Sequence, residues 1–337
     1  MINVGRIQPQ NVDSNKQHKT KNKGFIRASM AQSAVATAVT LPSIAIPKLM
    51  KKVGKLNAEE NMNLAYGIGQ GMTKSGLRDK GVEFVVAKTF DRQPKTVKEV
   101  MNSVMTLFSE SKPEDQKVID VISKASAKLF DKAAKKDPQF AKIIETPEFK
   151  RGLALPSLFQ LKLGINAFFT PVANAIVVPD KGVTASAFHE MGHAMNANFS
   201  KIGKALQKVR GAGPIAASII AFIALTNKKK VSDASSPTDS KIQKGRDFIK
   251  KNAGKLSFLA FLPMVAEEAM ASAKGQKLAK GLVDSKVFKK ALATHALGLA
   301  SYTMAAVATG ISAMAAVKVK DNIQAKYEHK QALKYAK

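Results

Sequence analysis

The sequence predicts an α+β chain, predominantly helical. A small β-hairpin leads into a helix carrying two histidines, and long apolar helices of membrane type follow. Three observations carry this. Hydrophobic residues make up 45% of the chain but aromatics only 6%. The apolar content is therefore largely Ala, Val, Leu, Ile and Met, a balance typical of helix-rich or membrane-associated chains. Residues 161–179 hold two apolar, β-rich pieces, 165–169 and 175–178, around Thr170-Pro171-Val172-Ala173-Asn174, which is a hairpin pattern. Residues 291–317 run for 27 positions with no formal charge except at His295. As a helix that is long enough to cross a hydrocarbon core of about 30 Å.

Taken in order, residues 1–24 are polar and basic without apolar periodicity and read as a disordered tail. Residues 25–56 form an apolar N-terminal segment broken by Pro42 and Pro47. It suits a signal peptide, an anchor or a core-packed segment. Residues 57–160 read as a helical support domain. Asn57 and Glu60 make a capping box for a helix to about Ser75, and Gly76 ends it. Residues 81–87, GVEFVVA, are a short strand. Pro94 opens a helix, Pro113 opens another to about Lys135, and Pro138 and Pro147 start two short ones. Val118, Val121, Ile122, Ala125 and Leu129 mark an amphipathic face. Residues 161–280 form the domain with chemistry, with Thr184 as N-cap of its histidine helix. An apolar hairpin spans 211–266: residues 211–226 are uncharged, 227–255 are a lysine-rich loop, and 256–266 return. Residues 281–337 supply the last apolar helix and a basic, helical tail.

Charge narrows the class of partner. There are 54 Lys+Arg against 25 Asp+Glu, a net charge of +29. Such an excess suits nucleic acid or an anionic lipid surface. Lysines cluster beside apolar runs, at Lys228, Lys229 and Lys230 and at Lys286, Lys289 and Lys290, and arginine–aromatic interleaving is missing. The pattern points to a lipid membrane and away from nucleic acid. Basic residues flank the run 211–226 on both sides, so the positive-inside rule assigns no orientation. With no cysteine in the chain, disulfides and thiolate metal sites are excluded, and a metal must be held by His and carboxylate.

Within Thr184-Ala185-Ser186-Ala187-Phe188 and onward stands His189-Glu190-Met191-Gly192-His193, an H-E-x-x-H pattern. On a helix four residues are a little over one turn, so His189 and His193 share a face and bind one Zn²⁺. Glu190 then reaches the water to be activated and serves as general base. Burying two imidazoles and a carboxylate among Ala187, Phe188, Met191 and Ala194 is costly unless a cation satisfies them. A catalytic zinc usually takes a third protein ligand. Glu267 and Glu268, adjacent carboxylates at the end of an apolar run, are the candidates. On a helix they point about 100° apart, so at most one faces a metal squarely.

Glu268-Ala269-Met270-Ala271-Ser272 resembles the E-x-x-A-[DS] element of membrane zinc peptidases of the HtpX and CAAX-prenyl-protease type. The E-x-x-A-S form is similar to the bacterial YugP-like zinc metallopeptidases. The order agrees: Asn166-Ala167-Phe168 in a hairpin, then H-E-x-x-H, then apolar segments, then the glutamate. The resemblance covers roughly residues 161–280. It implies a zincin-like core of gluzincin type, a metal site of His189, His193 and Glu268, and Glu190 as the base. It also implies a polypeptide substrate held at the hairpin edge and a membrane location, a bacterial inner membrane. Ser272 stands where the larger family commonly has an aspartate supporting a ligand histidine. Glu267 stays the alternative ligand and is otherwise expected to point toward a lysine or water.

His295 and Tyr302 lie near one face of the last apolar helix. They suit either an oxyanion donor pair or a histidine and tyrosine at the membrane boundary, and the boundary reading is preferred. His18 and His329, in basic tails, are expected to be solvated. The rivals to a zinc endopeptidase are a membrane scaffold that retains the fold without activity and a basic nucleic-acid binder with a chance motif.

Overall fold

The computed structural model describes residues 46–110, 112–128, 130–226 and 241–335. The tail 1–24, most of the segment 25–56, Leu129 and the lysine-rich stretch 227–240 lie outside the described residues. Two units divide the chain. Among the described residues one comprises 46–211 and 263–303, the other 212–226, 241–262 and 304–335.

In the first unit, residues 46–53 form helix α1. Ile46 is buried and Lys51 Nζ donates to the Leu163 carbonyl at 2.8 Å. α2 (Ala58–Lys74) starts at the capping box read from sequence, with Asn57 accepting from Glu60 N and Glu60 accepting from Asn57 N. Next come β1 (Glu83–Ala87), α3 (Val97–Ser109), α4 (Pro113–Ala127), α5 (Asp131–Ala134), α6 (Pro138–Ile144) and α7 (Pro147–Lys162). α3 begins three residues after Pro94, because Thr96 and Glu99 make a second capping box. α7 has 16 residues rather than being short, and carries Pro156 within it. The helix from Pro113 ends at Ala127 rather than near Lys135.

The hairpin forms, with its first strand shifted: β2 is Phe168–Thr170 and β3 is Ala175–Pro179, antiparallel. β1 joins them, pairing parallel to β3 with Glu83 opposite Ala175, and the strand order is β1-β3-β2. This corrects the expected separation of a 57–160 support domain, because its strand is an edge of the same sheet. β3 is buried at every position, as a central strand covered on both faces must be. Successive side chains point to opposite faces. Ile176 and Val178 join Leu64, Phe188 and Met191 in one core, while Ala175 and Val177 join Val118, Leu158 and Leu161 in the other. Each bulky side chain so buried contributes about 1.5–3 kcal/mol.

After β3 the chain makes a 3₁₀ turn (Val183–Ser186) and enters α8 (Ala187–Phe199). Thr184 therefore lies inside the 3₁₀ turn and is not the N-cap. Ser186 occupies that position without a side-chain cap bond, its hydroxyl donating to the Val183 carbonyl at 2.6 Å. α9 (Lys201–Val209) follows, capped by Ser200, which accepts from Gly203 N.

The second unit holds α10 (Ala212–Thr226), α11 (Lys241–Lys251) and parts of the last two helices. α12 (Ala253–Ala279) is a single helix of 27 residues that continues through Glu267 and Glu268, so the 256–266 run does not end before them. α13 spans Ser285–Tyr335. Ala253–Ala279 and Ser285–Lys326 are both long and apolar enough to cross a membrane. The run 291–317 thus has a companion of spanning length, which the charged pair in its middle concealed. His329, on α13, is exposed as expected. The described chain is α+β and predominantly helical.

Candidate metal centre

α8 and the first-unit part of α12 cross at closest approach where side chains are smallest. A Cβ on Gly192 would strike the Ala271 carbonyl, and one on Gly275 would strike the Phe188 carbonyl. Only glycine admits these contacts, and the contact sets His189 and His193 against Glu268 and Ser272. His189 Nε2 and His193 Nε2 stand 3.0 Å apart. Glu268 Oε2 is 3.0 Å from the first and 3.4 Å from the second. Ligands around a tetrahedral zinc with bonds of about 2.0–2.1 Å are about 3.3 Å apart. The three separations, 3.0, 3.0 and 3.4 Å, lie close to that spacing.

The opposite side of each imidazole is tied down. His189 Nδ1 lies 3.1 Å from Ser272 Oγ, and His193 Nδ1 lies 2.8 Å from Glu267 Oε1. With Nδ1–H donating outward in each ring, both Nε2 atoms turn lone pairs toward each other and toward a carboxylate. In that tautomer three acceptors converge in a buried space, an arrangement a bound cation would satisfy. Ser272 thereby fills the supporting position through its hydroxyl. The donor set, two imidazoles and one carboxylate, suits zinc.

Glu267 is corrected. It meets neither a lysine nor water: it is fully buried. Its Oε1 also accepts from Asn196 Nδ2 and Gln207 Nε2, each at 3.0 Å, and its Oε2 accepts from Arg210 Nη1 at 2.8 Å. The same guanidinium donates from Nη2 to Glu268 Oε1 at 2.6 Å. Arg210 therefore clamps both carboxylates through Oε2 of Glu267 and Oε1 of Glu268, while Oε2 of Glu268 faces the histidines. Gln207 adds a bond from Nε2 to the His193 carbonyl at 2.7 Å. Carboxylate oxygens of Glu267 and Glu268 both lie close to His193, but Glu267 engages its outer nitrogen and Glu268 its inner one.

Glu190 is buried, and its carboxylate oxygen falls within 4.8 Å of ring nitrogens of His189 and His193. Burial raises its pKa above the ordinary carboxylate range, against the opposing pull of the two histidines. For His193, burial acts downward, but hydrogen bonds to Glu267 and Glu268 outweigh it and raise the pKa to about 10.

No protein-family model, curated protein or solved structure matches this chain. The site is therefore read from its own geometry.

His295 is not at a boundary with water. It is 2% exposed, and its ring centroid lies 5.3 Å from that of His189. Tyr302, further along α13, is half-buried. Sequence reasoning missed Arg210, Gln207 and Asn196. Arg210 had one legible signal: of 54 basic residues only seven are arginine, and this one ends a lysine-bearing helix ahead of an uncharged run. Arginine is the residue whose planar fork can hold two carboxylates at once.

Proposed function

We propose that this protein is a membrane-associated, zinc-dependent endopeptidase with a zincin-like core of gluzincin type. The observation that supports it most is the convergence of His189 Nε2, His193 Nε2 and Glu268 Oε2 within 3.0–3.4 Å beside a buried Glu190. Zinc held by these three residues supplies Lewis acidity, which makes water acidic near neutral pH and polarises a carbonyl. The chain supplies the rest. Glu190 accepts a proton from the attacking water at its carboxylate and returns it to the leaving peptide nitrogen. Its burial and raised pKa suit it to both transfers. Ser272 and Glu267 hold the imidazoles in the Nδ1–H tautomer, and Arg210 fixes the rotamer of Glu268. β2 is an edge strand that packs on α8, so an extended polypeptide adding to its open side would run past the histidines. The two helices of spanning length support the membrane assignment.

Hydrolysis of an unfolded polypeptide by the purified full chain in detergent tests this reading. One bound zinc per chain is expected, with activity lost to a chelator and restored by zinc. Bound zinc without hydrolysis would indicate an inactive scaffold. No zinc at all would remove the proposal.

A further inference from the structure

α9 presents three faces of different chemistry. At 100° per residue, Ile202, Ala205 and Val209 fall within about 60° of one another. All three are exposed, Ile202 at 68% and Val209 at 46%, and Phe199, just before the helix, is 47% exposed. Lys201, Lys204 and Lys208 form an adjoining exposed stripe, also within about 60°. The third face turns inward. Gly203 packs on Asn196, and Gln207 and Arg210 hold Glu267, Glu268 and the His193 carbonyl.

Phe199 has Lys80 Nζ over its ring at 5.9 Å, whereas Ile202, Ala205, Val209 and the three lysines are exposed. None of the three lysines forms an ion pair among the described residues, and the sequence has no acidic residue between Glu190 and Asp233. Bulky apolar side chains beside an uncompensated basic stripe fit a surface that is apolar below and anionic above. The position in the chain agrees, since α9 is followed directly by the uncharged residues 211–226, which need apolar surroundings. Three lysines on nine residues bar α9 itself from the hydrocarbon core. Aromatic side chains for stacking bases are lacking apart from Phe199, which argues against nucleic acid.

We infer that α9 is an interfacial helix that docks on a bilayer of anionic phospholipid. Ile202 and Val209 enter the acyl boundary, and Lys201, Lys204 and Lys208 meet the phosphates. The docked helix is the one whose inner face carries Gln207 and Arg210, which hold the carboxylate pair. The inference rests on the membrane assignment above and does not depend on zinc or hydrolysis.

The chain has no cysteine, so single variants Ile202→Cys and Val209→Cys take a nitroxide label cleanly at exposed positions. The full chain is reconstituted in nanodiscs of phosphatidylcholine alone or with phosphatidylglycerol, and label access to oxygen and to a water-soluble nickel chelate is measured. In anionic discs both labels should be open to oxygen and shielded from nickel. In neutral discs, or after Lys201, Lys204 and Lys208 are all changed to Gln, nickel access should rise several-fold. A label on exposed Asp91→Cys should stay open to nickel throughout. Nickel access in every disc would overturn the inference. So would oxygen access independent of lipid charge, which marks a span, or shielding from both reagents, which marks a protein cover. None of these results touches the zinc reading, which chelation tests separately.

Discussion

Glu190→Gln should keep one zinc per chain and lose hydrolysis by about 10²–10⁴-fold, the usual weight of a positioned general base. Glutamine has the shape of glutamate, so the buried position beside His189 and His193 stays filled. What disappears is the ability to accept a proton. Because Glu190 is not among the three converging ligand atoms, the metal should remain. Zinc content by elemental mass spectrometry and turnover on the same sample check both halves. Full zinc with wild-type turnover would contradict the mechanism.

The part of this site that could be read from sequence is the part encoded locally. The spacing of His189 and His193 is a property of one helix, as is the Asn57–Glu60 capping box, and both stand in the structure as read. The pairing of residues 83–87 with 175–179 is not local: a strand of the supposed support domain becomes an edge of the central sheet. Nothing in the alternation of either segment specifies that partner. The apolar run 256–266 gives way at Glu267 to two adjacent carboxylates whose partners the sequence does not name. That point is the middle of α12, because Arg210, Asn196, Gln207 and the histidines satisfy both carboxylates there. Likewise, Gly192 looks interchangeable with alanine in the motif, yet the backbone of α12 lies where its Cβ would be.

Glu268→Ala and Glu267→Ala should fail in different ways. Glu268 Oε2 lies 3.0 Å from His189 Nε2 and 3.4 Å from His193 Nε2, so its removal takes away one of three proposed ligands. Zinc affinity should then fall beyond the about 10–100-fold range of an outer-partner loss. Arg210 would be left with one carboxylate, Glu267, and the fold should persist. Glu267→Ala should keep zinc affinity within that range, because its role is to orient His193 through Nδ1. Its larger cost is to stability. The change strips a buried partner from Arg210, Asn196 and Gln207 together, and breaking such a buried pair costs about 3–5 kcal/mol. Zinc titration and thermal unfolding of both variants separate the roles. Equal zinc losses would mean a shared ligand role, and a selective loss in Glu267→Ala would move the third ligand by one residue and dissolve the likeness to the E-x-x-A-S element.

In the proposed centre two imidazoles and one carboxylate hold a single zinc. X-ray absorption at the zinc edge of the full-length protein tests it most directly. Four-coordinate zinc is expected, with nitrogen and oxygen neighbours at about 2.0–2.2 Å. The imidazole scattering should correspond to two rings, falling to one in His189→Ala. An all-oxygen shell, or imidazole scattering unchanged by that substitution, would contradict the claim.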